Sequence, residues 1–362
     1  MTIVFHYVLP LVIGAIIAWL GLVIFRKLGV MDKPGADLVG TRKAVPTMQG
    51  IRVYLSFFVI IAICFPVIFR SNIFRGLFVG TLPIIVFEFI EELRYIGKIK
   101  RKIPTVFRLV GHILGAVLAI YVGHFGPQEL LIGTYKLMIP QRGFAIFFVI
   151  WSIICINAIN WFDGIYAQAS GVSSIGFLTI FLLIQFVVFA HYTNFTPENM
   201  LILTTVKYLS FTLFAISLIS AFVEFKPLGL VRDLGIMFYG FALAYLSVVG
   251  GAKVGTLIVA LSLVIFDAIR VGLRRIFVMK KNPLKGDYTH LHHRLMGLGR
   301  KRKEVRATVW IWSFVMMVLI LLQGTDRSNK IIIFVMMAMI FFGVNYYLFV
   351  VKKLPCGLPM NK

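Results

Sequence analysis

Long apolar segments separated by short polar loops dominate this chain from one end to the other. Segments of about 20 apolar residues can cross a bilayer as helices, whereas the strands of a β-barrel would alternate apolar and polar positions. The pattern therefore predicts an all-α polytopic membrane protein that forms a single domain over residues 1–362. We assign eleven spans, at residues 3–25, 53–69, 76–90, 106–121, 143–156, 171–190, 200–221, 234–250, 254–273, 307–323 and 331–351.

The composition supports a membrane protein. Hydrophobic residues make up 60% of the 362 residues, whereas soluble proteins average about 45–50% apolar residues. The three cysteines, Cys64, Cys155 and Cys356, form no CxxC pair, so we expect neither a disulfide framework nor a zinc site. The N-terminus lacks the basic region and cleavage site of a signal peptide, so residues 3–25 are predicted to be a retained span.

The net charge of +23 is distributed unevenly between alternate loops. Of 37 Lys and Arg residues, 25 fall in six alternate loops and only seven in the loops between them. By the positive-inside rule the first set is cytoplasmic, which places the N-terminus outside and the C-terminus in the cytoplasm. This bias, with anionic lipid or phosphate ligands, explains the excess of positive charge, so we expect a bilayer rather than a nucleic acid as partner. The six loops are 26–50, 91–104, 157–170, 222–233, 272–305 and 352–362.

Polar side chains follow the fifth span directly. Asn157, Asn160 and Asp163 are spaced at i, i+3 and i+6, which keeps them near one face of a helix. A carboxylate beside a membrane is costly unless a cation or hydrogen bonds stabilise it. The stretch is therefore either a polar helix end among lipid headgroups or part of a site at the membrane surface.

Other acidic residues lie on the same predicted side. Glu91 and Glu92 end the third span, and by themselves they are best explained as solvated charges. Asp233 stands at the start of the eighth span, where a helix N-terminus favours a carboxylate. Asp233 is therefore either a helix cap or an oxygen ligand for Mg²⁺.

Three of the seven histidines, His290, His292 and His293, fall within four residues, followed by Arg294. Histidines at this density could bind zinc, but the neighbouring Lys and Arg suit a phosphate better than a metal cation. The remaining alternative is a basic loop that rests on anionic lipid. Carboxylates for a divalent cation, carboxamides for hydroxyl groups and a His/Arg loop for a diphosphate together meet the needs of phosphoryl transfer between a nucleotide and a membrane lipid.

With these motifs the chain resembles the polyprenyl-phosphate N-acetylhexosamine-1-phosphate transferase family from about residue 20 to 300. Asn157 to Gly164 resembles the family's Asn-x-x-Asn-x-x-Asp-Gly motif, and Asp233 with Gly235 is similar to its Gly-Asp-x-Gly-Ser motif. Residues 290–293 resemble the His-x-His-His loop of the branch that uses UDP-GlcNAc. Lys43 and Pro46-Thr47-Met48 look like the family's first cytoplasmic-loop motif.

The resemblance implies transfer of a HexNAc-1-phosphate, with GlcNAc-1-phosphate expected, from a UDP-sugar to a polyprenyl phosphate. UMP would be released in this first membrane step of cell-envelope glycan synthesis. The resemblance also implies Mg²⁺, replaceable by Mn²⁺, held by Asp233 and Asp163, with Glu91 or Glu92 orienting or deprotonating the lipid phosphate. The implied substrate-binding residues are Lys43 and Thr47 for the nucleotide, Asn157 and Asn160 for sugar or phosphate hydroxyls, and His290, His292, His293 and Arg294 for the diphosphate.

The motifs depart from the family pattern at several positions. Glu91-Glu92 stands where the family has Asp-Asp, Tyr166 replaces a second Asp, and Arg232 and Ile236 replace the Gly and Ser around Asp233. These substitutions support an alternative, a catalytically silent relative that binds lipid phosphate or nucleotide. A transporter is supported only by the number of spans, because the polar residues cluster at one face rather than near the midplane. A homodimer is left open.

Overall fold

The computed structural model describes residues 4–32, 44–100, 103–126, 129–132, 135–191, 196–249, 254–280, 289–324 and 326–351. Nearly all of this part of the chain is helical. In chain order the helices are α1 Leu9–Lys27, α2 Gln49–Cys64, α3 Asn72–Tyr95, α4 Thr105–Gly123, α5 Gln141–Trp161, α6 Gln168–Leu182, α7 Phe189–His191, α8 Pro197–Phe225, α9 Arg232–Val248, α10 Val254–Ala260, α11 Ser262–Leu273, α12 Leu291–Gly297, α13 Arg302–Leu322 and α14 Arg327–Tyr346.

One short hairpin interrupts the helical pattern. Strand β1, Glu129–Ile132, pairs antiparallel with β2, Tyr135–Met138, so that Glu129 lies opposite Met138. The hairpin falls in the long loop that the charge pattern assigns to the outer side. Apart from this hairpin, all described secondary-structure elements are helices. The predicted helical membrane fold is therefore confirmed.

The predicted number of eleven spans is not confirmed. In the described part of the chain, eight helical segments are long and apolar enough to cross a membrane. A ninth is reached if α10 and α11, which meet at a bend of 91°, count as one broken span. Helix α2 has 16 residues and α9 has 17, fewer than the roughly 20 that a full crossing needs. Both coincide with predicted spans but are shorter than a full crossing.

Helix α9 forms the centre of the bundle. Every residue from Leu234 to Val248 is buried, and the helix packs against α2, α3, α5 and α6. A Cβ added to Gly240 would lie 2.7 Å from the Cα of Ile156 on α5, so only glycine permits this close approach. Because α9 is enclosed by protein rather than by lipid, its polar first turn is brought into contact with several neighbouring elements.

Three of the helices that meet at this end of α9 start from a left-handed backbone conformation. Met48 precedes α2, Ala167 precedes α6 and Arg232 opens α9, with φ angles of 60°, 64° and 60°. This conformation costs an L-residue about 1–2 kcal/mol and favours glycine. The left-handed backbone at position 232 therefore explains why a glycine suits this position in the resembled family.

The segments before α2 and α9 are joined by backbone hydrogen bonds. Leu230 donates to the carbonyl of Pro46 at 2.9 Å, and the N–H groups of Gln49 and Gly50 donate to the carbonyls of Leu230 and Val231, each at 3.1 Å. Residues 46–50 and 230–231 thus run side by side. This contact places the first polar loop against the segment that leads into Asp233.

Candidate active site

Asp163 lies in the turn between α5 and α6. Asn157 and Asn160 occupy the last two turns of α5. The side chain of Asn157 donates to the carbonyl of Ile153 in its own helix at 2.8 Å. The N–H of Asp163 donates to the carbonyl of Asn160 at 3.1 Å, which tightens the turn and leaves the half-buried Asp163 carboxylate at the end of the bundle.

Asp163 belongs to a group of acidic side chains. Burial raises the pKa of Asp163 well above its usual range, and repulsion from Glu224 and Asp233 raises it further. Arg232 opposes this effect, and Glu92 adds to it. The predicted acidic residues Asp163, Asp233 and Glu92 are therefore close enough to interact electrostatically.

Asp233 lies in the first turn of α9, where it is paired with an arginine. Its Oδ2 is 3.1 Å from Nη2 of Arg108 on α4. The same guanidinium holds the fully buried Glu88 of α3 through Nε–Oε1 and Nη2–Oε2 distances of 2.8 and 2.5 Å. No side chain caps the start of α9, so the capping alternative for Asp233 does not apply. Sequence reasoning missed both Glu88 and Arg108.

Glu91 and Glu92 have different surroundings. Glu91 pairs with Arg94 on the next turn of α3 at 2.6 Å. Glu92 is buried and accepts a hydrogen bond from the N–H of Leu234 at 3.1 Å through Oε1. Its Oε2 has no hydrogen-bond partner among the described residues. Of the two, Glu92 is therefore the one that contacts the Asp233 turn.

Glu224, near the C-terminal end of α8, connects the two acidic turns. Its Oε2 accepts from the hydroxyl of Ser170 in α6 at 2.6 Å, and its Oε1 accepts from the N–H of Val231 at 2.9 Å. Arg52 of α2 is also buried and attracts this carboxylate. Sequence reasoning missed Glu224 as well; the available signal was a lone acidic residue where an apolar span ends.

His292 lies directly against the Asp163 turn. A Cβ added to Gly164 would lie 2.5 Å from Nε2 of His292, so the glycine makes room for the imidazole. The ring also contacts Phe162, with the ring centroids 5.5 Å apart. Neither ring nitrogen has a hydrogen-bond partner in the described part of the chain. Burial lowers the pKa of His292 well below its usual value, so the imidazole is neutral at pH 7.

The other members of the histidine loop differ from the exposed cationic surface expected from the sequence. His290 and Arg294 are both 3% exposed. Nη1 of Arg294 donates to the side chain of Asn345 at the end of α14 at 2.6 Å. His290 contacts Asp267 and Arg275, and the ring of His293 is tilted against that of His292 with the ring centroids 4.0 Å apart. His292 is thus the histidine that the structure brings to Gly164.

The predicted nucleotide-site residues are only partly described. Lys43 lies outside the described residues. Thr47 is fully buried, its N–H donates to the carbonyl of Val30 at 3.1 Å, and its hydroxyl has no described partner. Thr47 is therefore held near the α9 turn through the pairing of residues 46–50.

The donor set fits Mg²⁺ held jointly with substrate phosphates. The described residues contain no group of three or more His, Cys, Asp or Glu side chains arranged around one point. Mg²⁺, however, is commonly held by one or two carboxylates together with water and phosphate oxygens. Asp163 and Asp233 meet that lesser requirement. A cation between Asp163 and its acidic neighbours would offset the repulsion that contributes to the raised pKa of Asp163.

Comparison with known proteins agrees with the motifs. No protein-family model matches the chain. The chain is 26% identical over 320 residues to the probable undecaprenyl-phosphate N-acetylglucosaminyl 1-phosphate transferase of Bacillus subtilis (strain 168). The predicted family resemblance is confirmed. The alignment covers 86% of this chain and 82% of the Bacillus transferase, so it includes the helices as well as the polar loops between them.

Proposed function

We propose that the protein transfers a HexNAc-1-phosphate, with GlcNAc-1-phosphate as the expected group, from a UDP-sugar to undecaprenyl phosphate or a similar polyprenyl phosphate. The observation that carries the proposal is the meeting of Asp163, Asp233 and Glu92 with His292 at one end of the bundle. Similarity to the Bacillus transferase supports the same reaction. The excess of Lys and Arg in the loops at this end supports a cytoplasmic site in an inner membrane.

In the proposed reaction an oxygen of the lipid phosphate attacks the β-phosphorus of the UDP-sugar. The bond from that phosphorus to the bridging oxygen breaks, and UMP leaves with the bridging oxygen. Asp163 and Asp233 would hold Mg²⁺, which supplies positive charge to the diphosphate. Glu92 would orient the attacking phosphate or accept its proton, since it is the acidic residue of α3 that contacts the Asp233 turn.

Arg108 is suited to contact a substrate phosphate. Glu88 engages Nε and Nη2 of its guanidinium, which fixes the plane of the group. Its Nη1 has no hydrogen-bond partner among the described residues, and the side chain is 19% exposed. A guanidinium held in this way loses little side-chain entropy when it binds an anion. We therefore add Arg108 to the phosphate-binding residues implied by the motifs.

His292 would contribute hydrogen bonds rather than charge. A neutral imidazole has one donor and one acceptor nitrogen, and neither is used within the described residues. Its position on Gly164 places it beside Asp163. Donation from His292 to a phosphate oxygen would strengthen as negative charge builds on the departing UMP.

The direct test is turnover by the purified full-length protein. The protein is incubated with Mg²⁺, a short polyprenyl phosphate and a panel of UDP-sugars, and UMP and the lipid-linked product are measured together. We expect both products with UDP-GlcNAc and neither product without the lipid. UDP-sugar binding with no turnover for any sugar would overturn the proposal in favour of the catalytically silent alternative, in which Arg108 keeps Asp233 occupied.

A further inference from the structure

Two side chains of α11 hold the backbone at the start of the histidine loop. Asp267 is fully buried, and its Oδ2 accepts a hydrogen bond from the N–H of Leu291 at 3.0 Å. Its Oδ1 lies 2.6 Å from Nη2 of Arg270, which also donates to the carbonyl of Thr289 at 2.8 Å. Residues 289 and 291 are therefore fixed by one carboxylate–guanidinium pair.

His290, between these two residues, uses both ring nitrogens. Its Nδ1 is 3.0 Å from Oδ2 of Asp267, and its Nε2 is 3.2 Å from Nη2 of Arg275. A guanidinium can only donate, so Nε2 of His290 accepts. This contact pattern requires the proton on Nδ1, which donates to Asp267.

The same side chains contact the helix that leads to Asp163. The ring of His290 lies 5.1 Å from the ring of Trp161 between centroids. The guanidinium of Arg275 also lies over Trp161, 5.1 Å from its ring centroid. Trp161 is the last residue of α5, two positions before Asp163. The cluster thus links α11, the start of α12 and the end of α5.

We propose that Asp267, Arg270 and His290 form a positioning unit that sets the start of α12, and thereby His292, against the Asp163 turn. His290 is then a positioning residue rather than a phosphate ligand, because an Nε2 that accepts from Arg275 has no proton to donate to a phosphate. The positioning role of His290 rests on the proposed function only where it is tested by transferase turnover.

Isosteric substitutions separate the two roles of His290. The amide nitrogen of Asn can take the place of Nδ1, whereas that of Gln can take the place of Nε2. His290→Asn should keep kcat within about fivefold of the wild type, since it loses one hydrogen bond, whereas His290→Gln and His290→Ala should lose about tenfold or more. Rescue by Gln but not by Asn would overturn the positioning role. The control, His124→Asn, changes an exposed histidine that follows α4 and should leave kcat unchanged.

A second measurement needs no turnover. Nitrogen NMR of histidine-labelled protein reports the tautomer of each imidazole, and the signal absent from His290→Asn identifies His290. We expect the Nδ1–H tautomer in the wild type and its loss in Asp267→Ala. An Nε2–H tautomer or an imidazolium would overturn the proposal. If the wild type gives no turnover while His290 has the Nδ1–H tautomer, the transferase proposal fails and the positioning unit stands.

Discussion

Replacing Glu224 by glutamine should weaken the connection between the turn that carries Asp163 and the turn that carries Asp233. The carboxylate accepts from the hydroxyl of Ser170 through Oε2 and from the N–H of Val231 through Oε1. Glutamine has the same shape but only one acceptor oxygen, so one of these donors must lose its partner. The substitution also removes the negative charge that faces the buried Arg52. Glu224→Gln thus disturbs two connections at once.

The magnitude follows from burial. Glu224 and Arg52 are each 2% exposed. Leaving a buried donor without its partner costs about 1–3 kcal/mol. We expect Glu224→Gln to lower the free energy of unfolding by about 2 kcal/mol, the middle of this range. A shift of about 1 Å between the turns that carry Asp163 and Asp233 would lower the turnover rate by about a hundredfold.

Denaturant unfolding in detergent and turnover of the same preparation give both quantities. Glu198→Gln changes an exposed glutamate in the first turn of the same helix and should stay within about 0.5 kcal/mol of the wild type. In a double-mutant cycle with Ser170→Ala, we expect a coupling energy of about 0.5–3 kcal/mol. Wild-type unfolding and turnover in Glu224→Gln, or strict additivity with Ser170→Ala, would refute the connection between the turns.

Three further predictions test the topology and the site. A cysteine introduced between residues 296 and 304 should react with an impermeant reagent only after cells are permeabilised, whereas one at the exposed Ser328 should react in intact cells; the reverse result would invert the topology. Asp233→Asn should lower turnover by about a hundredfold or more, as loss of a main electrostatic stabiliser does; an unchanged rate at saturating Mg²⁺ would remove Asp233 from the mechanism. His292→Ala should lower turnover by about tenfold or more, with zinc content near zero throughout; one tightly held zinc per chain that this substitution releases would refute the phosphate role.

The helical fold could be predicted from the sequence because lipid imposes one simple rule on long apolar segments. The number of spans could not, because hydropathy measures composition and does not say what surrounds a helix. Helix α9 is apolar enough to look like a span, yet it begins inside the bundle at the site and has only 17 residues. The bend between α10 and α11 at Leu261 is equally invisible, since apolar residues continue through it.

The meeting of the motifs was predictable, but the residues that connect them were not recognised. Alternate loops must lie on the same side of a membrane, so the Asp163 and Asp233 turns were expected together. Glu88 and Arg108 lie near the facing ends of consecutive helices, α3 and α4. Charges within a membrane segment require partners, and an antiparallel helix pair brings such positions to the same height. That rule, applied to the two lone charges, would have found the pair.

The balance of charge gives a physical reason for a divalent cation. Among the described residues, the guanidinium groups of Arg108 and Arg232 lie near the carboxylates of Asp163, Asp233 and Glu92. Arg232 stacks on the ring of Tyr95 at 3.4 Å. Two phosphate-bearing substrates would add more negative charge to this group. UDP binding, measured by calorimetry, should therefore weaken by about tenfold or more when EDTA removes divalent cations. Equal affinity with and without Mg²⁺ would show that the arginines alone compensate the charge of the diphosphate. The Arg232 guanidinium, which stands where the resembled family has glycine, would then take the place of the metal ion.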